Sequence, residues 1–152
     1  MIYINSVMSE ILNDLCVIDL ADSLQEILDK DFVFVDGMFF LNYNYISNEE
    51  SLVVIKDRYD DISGFEFSMN AINIDDYVNN NIAEYGYEFF KKFKIKWINS
   101  KLPSCYIALS IQLDKEFGDM AKFTFYIKRD GQDVIDVDNI DDYPEPLLVE
   151  II

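Results

Sequence analysis

Residues 105–131 read CYIALSIQLDKEFGDMAKFTFYIKRDG, two apolar runs of period two separated by a polar, glycine-containing turn. Ile107, Leu109, Ile111 and Leu113 alternate in the first run, Cys105 to Leu113. Phe123, Phe125 and Ile127 alternate in the second, Lys122 to Lys128. Successive side chains of an extended chain point to opposite faces, so the spacing predicts two strands that each lay one face on a core. Asp114 to Ala121 joins them, Asp130-Gly131 turns the chain again, and after an acidic stretch from Gln132 to Glu145 the run Leu147 to Ile152 predicts another strand.

Working back from this hairpin, Asp75-Asp76 opens a helical pattern in which Val78, Ile82, Tyr85, Phe89, Phe93 and Trp97 share one stripe. Acids at its start and Lys91, Lys92, Lys94 and Lys96 near its end complement the helix dipole. Gly86 inside it costs about 1 kcal/mol relative to Ala and marks a place of close packing. Phe93 to Trp97 also alternates with period two, so these residues equally fit a handover from helix to strand near Lys92. Further upstream, Phe32 to Val35, an Asp36-Gly37 turn and Met38 to Ile46 predict a tight hairpin, and Leu52 to Tyr59 with Phe65 to Ile72 a second one. Met8, Ile11, Leu12 and Leu15, then Leu20, Leu24, Ile27 and Leu28, recur at three- and four-residue spacing. They predict two short helices broken near Asp19, with Ser6 as an N-cap and Ser23 and Glu26 at capping-box spacing. The expected fold is α+β, one domain over residues 1–152, with two helical regions and a mostly antiparallel sheet of about six or seven strands.

Composition narrows the chemistry. The chain has 152 residues, 29 Asp and Glu against 12 Lys and Arg, a formal net charge of -17 and no histidine. Without imidazole there is no Ser/His or Cys/His nucleophile pair and no His-ligated zinc. Glycines stand at 37, 64, 86, 118 and 131, so no phosphate-cradling GxGxxG or Walker spacing exists. Asp133, Asp136, Asp138, Asp141 and Asp142 invite a calcium reading, but Ile140 interrupts the series and neither the loop glycine nor the closing Glu of an EF-hand follows. Cys16 and Cys105 sit far apart in apolar surroundings and read as buried small hydrophobes rather than a redox pair. The expectation is a protein with no cofactor, no metal and no enzymatic activity. Acidity repels nucleic acid and anionic membranes, whose binding needs Lys and Arg. No apolar run reaches membrane-spanning length and the first fifteen residues lack the form of a secretory leader, so a cytoplasmic location is expected.

The charge is also unevenly placed. From Asp130 onward there are eight acids and no Lys or Arg, whereas five of the twelve basic residues lie between Lys91 and Lys101 with no acid among them. Concentrated charge destabilises the compact state by self-repulsion and suits a surface for a basic partner. Tyr43, Tyr45, Tyr59, Tyr77, Tyr85, Tyr87 and Tyr143 lie in or beside polar stretches, and tyrosine is enriched at interface hot spots. The candidate partner-binding residues are Asp133, Asp136, Asp138, Asp141, Asp142, Tyr143 and Glu145, with Asp57, Asp60 and Asp61 as a second group.

In size, acidity and α+β patterning the chain resembles bacterial toxin-immunity proteins, of the kind that accompany contact-dependent growth inhibition and other polymorphic toxins. The resemblance implies stoichiometric binding to one cognate toxin, often a basic nuclease. A DNA-mimic inhibitor of nucleic-acid-binding proteins is the alternative that the same acidity fits, and a carboxylate-dependent enzyme is a third. Monomer and dimer are both compatible with the sequence, since a strand edge such as Leu147 to Ile152 could pair between chains.

Overall fold

The computed structural model describes residues 1–41 and 61–152. In chain order the elements are β1 (Ile2–Ile4), α1 (Ser6–Asp14), α2 (Asp22–Asp29), β2 (Phe32–Val35) and β3 (Met38–Leu41). They continue with α3 (Ile62–Met69), β4 (Ile72–Asn73), α4 (Ile82–Asn99), β5 (Cys105–Gln112), β6 (Met120–Ile127) and β7 (Leu147–Ile151). Short 310 turns cover Ile74–Asp76 and Val137–Asp142. One sheet has five strands in the order β1-β7-β5-β6-β4, with every neighbouring pair antiparallel, and β2-β3 forms a separate two-stranded hairpin. The fold is α+β, as the mixed periodicities imply.

Alternation along β5 and β6 builds two cores. Cys105, Ile107, Leu109 and Ile111, with Ala121, Phe123, Phe125 and Ile127, face α1, α2 and α4. There Phe32, Phe93, Trp97 and Phe125 interlock, with ring centroids 4.8–6.1 Å apart where they meet. On the opposite face Tyr106, Ala108 and Tyr126 join Leu147 and Val149, and this face is covered by Val134, Ile135, Val137, Ile140 and Tyr143. The acidic stretch is therefore a strap laid across the sheet by its own apolar residues.

Gly86 is the point where α4 crosses the sheet. A Cβ there would stand 3.0 Å from the Ala121 Cβ and 3.3 Å from a Leu109 methyl, which explains a glycine within a helix. The hairpin turn also forms as expected, with Asp36 at φ 51° and Gly37 at φ 78° carrying the positive angles of a tight turn.

Several expectations need correction. Phe65 to Ile72 is mostly helix α3, because Asp61 caps it by accepting the Gly64 N–H at 2.6 Å, and only Ile72–Asn73 is extended. Its expected partner, Leu52 to Tyr59, lies outside the described residues, as do Asn42 to Ile46 of the first hairpin. Asp75-Asp76 belongs to a 310 turn. Helix α4 starts only at Ile82, after Asn81 takes a left-handed φ of 49°, and runs unbroken through Phe93 to Trp97. Asn5, not Ser6, caps α1, its Oδ1 accepting the Met8 N–H at 3.0 Å. Ser23 caps nothing in α2 and instead donates to the Tyr77 carbonyl. Cys16 is exposed, whereas Cys105 is buried. Finally, Leu147–Ile151 is an interior strand between β1 and β5, so it offers no free edge to another chain. The short strand β1 at the sheet margin went unread in the sequence.

Candidate functional site

The strap, residues 130–145, is tied down along its length. Asp133 accepts the Tyr106 hydroxyl at 3.1 Å, and the Ile135 N–H points to the Tyr126 oxygen at 3.4 Å. Tyr106 and Tyr126 stack 4.8 Å apart beneath it. The Asp136 N–H donates to the Tyr143 oxygen at 3.0 Å, and the Asp136 carboxylate accepts from Asn139 at 2.7 Å. Asp141 accepts the Ser6 N–H at 2.9 Å at the start of α1. Asn5 donates to the Glu145 carbonyl at 2.7 Å while its own carbonyl accepts the Leu147 N–H at 3.0 Å. With its inward residues in the second core, the strap holds Asp133, Asp136, Asp138, Asp141, Asp142 and Glu145 on the outside, all exposed, and Tyr143 half-buried.

The structure thus brings together the first group of sequence candidates and separates the second. Asp61 is half-buried and spent as the cap of α3; Asp57 and Asp60 lie outside the described residues. Tyr77, Tyr85 and Tyr87 pack against the main core as half-buried residues, and Tyr43, Tyr45 and Tyr59 are again outside the described residues. Of the strap carboxylates, Asp138, Asp142 and Glu145 accept no hydrogen bond from the described residues, so their charge is fully available.

The lysines of α4 are less free than their spacing suggests. Lys91 pairs with Glu88 and Lys94 with the largely buried Glu150, each at 2.5 Å. Lys96 donates to the Leu28 and Lys30 carbonyls at the end of α2 and lies over the Phe32 ring. An ammonium there answers the negative end of a helix. Burial lowers the Lys96 pKa, against the opposing pull of Asp31 and Asp29.

Beside the strap, the second sheet face carries two shallow cavities of about 340 and 290 Å³ that share Ser110, Lys122 and Glu145. Phe67 from α3 and Tyr143 from the strap wall the larger one. Nothing in the sequence announced this groove, because it needs β5, β6, α3 and the strap assembled. Burial, and then the bond to Asp133, push the Tyr106 hydroxyl up to about 12, while burial raises Tyr126 and Cys105, so all three stay protonated at neutral pH. Among the described residues no group of three His, Cys, Asp or Glu side chains is placed to hold a metal ion.

Residues 3–152 match the Uncharacterized protein PM0498 family, a span that takes in every described element after β1 and all of β1 but Ile2. The chain belongs to that family. It is similar to the Uncharacterized protein PM0498 of Pasteurella multocida (strain Pm70), 37% identical over 159 aligned positions that cover 100% of this chain and 99% of that one. No solved structure matches the chain. Among the described residues of this PM0498-family protein, no helix is long and apolar enough to cross a membrane.

Proposed function

We propose that this chain is an immunity protein, acting in the cytoplasm, that neutralises a basic toxin, a nuclease, by one-to-one binding through the strap. The observation that carries the reading is the strap itself: seven exposed carboxylates, no cation among residues 130–145, and a backbone held in place by hydrogen bonds at both ends and the middle. Self-repulsion among these charges opposes folding, and anchoring them in a fixed array is worth that cost where the array meets opposite charge. A nuclease active site is cationic because it holds phosphates, so it is the complementary target. Steering by such a field speeds association by about 10 to 10³-fold and fades with salt.

The test is capture from a lysate of the source organism on the immobilised chain, washed at low and then high salt. The expected result is one basic protein retained at high salt, whose activity is lost at an equimolar ratio. Asp138→Lys with Asp142→Lys, which disturb no hydrogen bond among the described residues, should slow its association at least about tenfold. A broad set of nucleic-acid-binding proteins, all released as salt rises, would establish DNA mimicry instead. Unchanged association kinetics in the double variant would remove the strap from the interface.

A further inference from the structure

The turn between β5 and β6 displays Phe117 with 85% of its surface exposed. Among the described residues the next most exposed aromatic ring, Phe34 at 62%, lies against Phe39 with ring centroids 4.7 Å apart. Phe117 makes no ring contact among the described residues. Its backbone, by contrast, is firmly built. The Asp114 carboxylate accepts the N–H groups of Glu116 at 2.8 Å and Phe117 at 2.9 Å, and Asp119 accepts the Asp114 N–H at 3.1 Å. Gly118 closes the turn at φ 89°, donating to the Asp114 carbonyl at 3.0 Å. The two backbone donors hold the Asp114 carboxyl below the usual carboxylate range, so it is charged at neutral pH. Leu113, 54% exposed, and Met120, 42% exposed, extend the apolar surface down the two stems.

An ordered turn that spends three backbone-directed hydrogen bonds on displaying a solvent-exposed phenyl ring has the properties of an interface anchor. The entropy of ordering it is lost on folding rather than on binding, and a rigid aromatic side chain entering a pocket is the commonest kind of hot spot. The surrounding charge selects the pocket. Asp114, Glu116 and Asp119 stand against Lys115 alone, so an acidic surface, an anionic bilayer or the same tip on a second copy is repelled, and a cationic rim is attracted. We infer that the β5–β6 turn inserts Phe117 into an apolar pocket rimmed by lysine or arginine on the partner protein. This rests on the capture of a basic partner proposed above, and names the group that holds the partner once the strap has steered it in.

Two measurements test it. The first titrates the full chain with per-amino-β-cyclodextrin, whose apolar cavity is ringed by ammonium groups. Saturable binding is expected, weakened at least about tenfold with uncharged β-cyclodextrin and lost in Phe117→Ala. Binding that ignores Phe117 overturns the inference whatever partner is found. The second follows the captured basic protein. Phe117→Ala, whose unchanged melting temperature verifies folding, should speed dissociation about thirtyfold while association changes little. Asp114→Asn with Glu116→Gln and Asp119→Asn keeps each acceptor oxygen of the turn, removes its negative charge and should slow association. If dissociation is unchanged in Phe117→Ala while strap reversal still slows capture, the anchor is wrong and the capture reading stands. If no basic protein is retained, the capture reading fails and the anchor with it.

Discussion

Glu66 is fully buried, yet every oxygen is used: Oε1 accepts the Phe39 N–H at 2.7 Å, and Oε2 accepts the Ile127 N–H at 2.9 Å and the Arg129 guanidinium at 2.7 Å. Arg129 in turn donates to the Gly37 carbonyl at 2.7 Å, and Asn70, one helical turn beyond Glu66, bonds the Phe39 carbonyl, the Leu41 N–H and the Phe125 carbonyl. Side chains of α3 thus stand in for a missing strand between β3 and β6. Removing one partner of a buried ion pair strands the other, so Glu66→Ala should cost about 3–5 kcal/mol, measured by urea unfolding. A second prediction concerns Tyr106. Its folded pKa near 12 exceeds the ordinary value of 10.0, so the folded state keeps a proton that the unfolded chain loses. The resulting stability is complete below pH 10.0, falls as pH rises towards about 12, and should appear as alkaline unfolding in that window that is weaker in Tyr106→Phe. None of this was legible beforehand. Glu66 is one acid among 29, and only the converging N–H groups of β3, the end of β6 and Arg129 distinguish it.

At the scale of elements, reading succeeded where one face of an element is apolar and failed where the buried stripe is polar. The β5–β6 pair and the Asp36-Gly37 turn follow from period and turn chemistry alone. Helix α3 hid because Phe65, Phe67 and Met69 alternate like a strand, while Ser63, Glu66 and Asn70, the stripe that reveals a helix, are polar residues in buried positions. For α4 both periods fit residues 93–97, and packing of Phe93 and Trp97 on the same sheet face decided it. Gly86 offers a direct check. Alanine gains about 1 kcal/mol of helix propensity, but overpacking a core costs about 1–3 kcal/mol. Gly86→Ala should therefore bring no gain in thermal stability, and Gly86→Leu a clear loss; a melting temperature raised by alanine would show that α4 is free to shift away from Ala121.

For the whole molecule, a net charge of -17 sets the response to salt. Raising salt from about 0.01 M to about 1 M shortens the screening length from about 30 Å to about 3 Å. Self-repulsion should then relax and the melting temperature rise, even as capture of a basic partner slows. A falling melting temperature would mean that Lys94–Glu150 and Arg129–Glu66 outweigh the repulsion. The candidate strap was visible in the sequence because acid density needs no third dimension. The groove at Lys122 and the exposure of Phe117 were not, since exposure is decided by what fails to cover a residue.

Pairing of Ile2 with Glu150 and of Ile4 with Leu148 joins the first strand to the last. On a ribosome adding about 5–20 residues per second, β1 is therefore made on the order of ten to thirty seconds before β7, the strand that receives it. Throughout that interval the segment Ile2 to Met8, which has no charged side chain, is without its final neighbours. Newly made chains should accordingly depend on chaperone shielding of this segment until β7 is made.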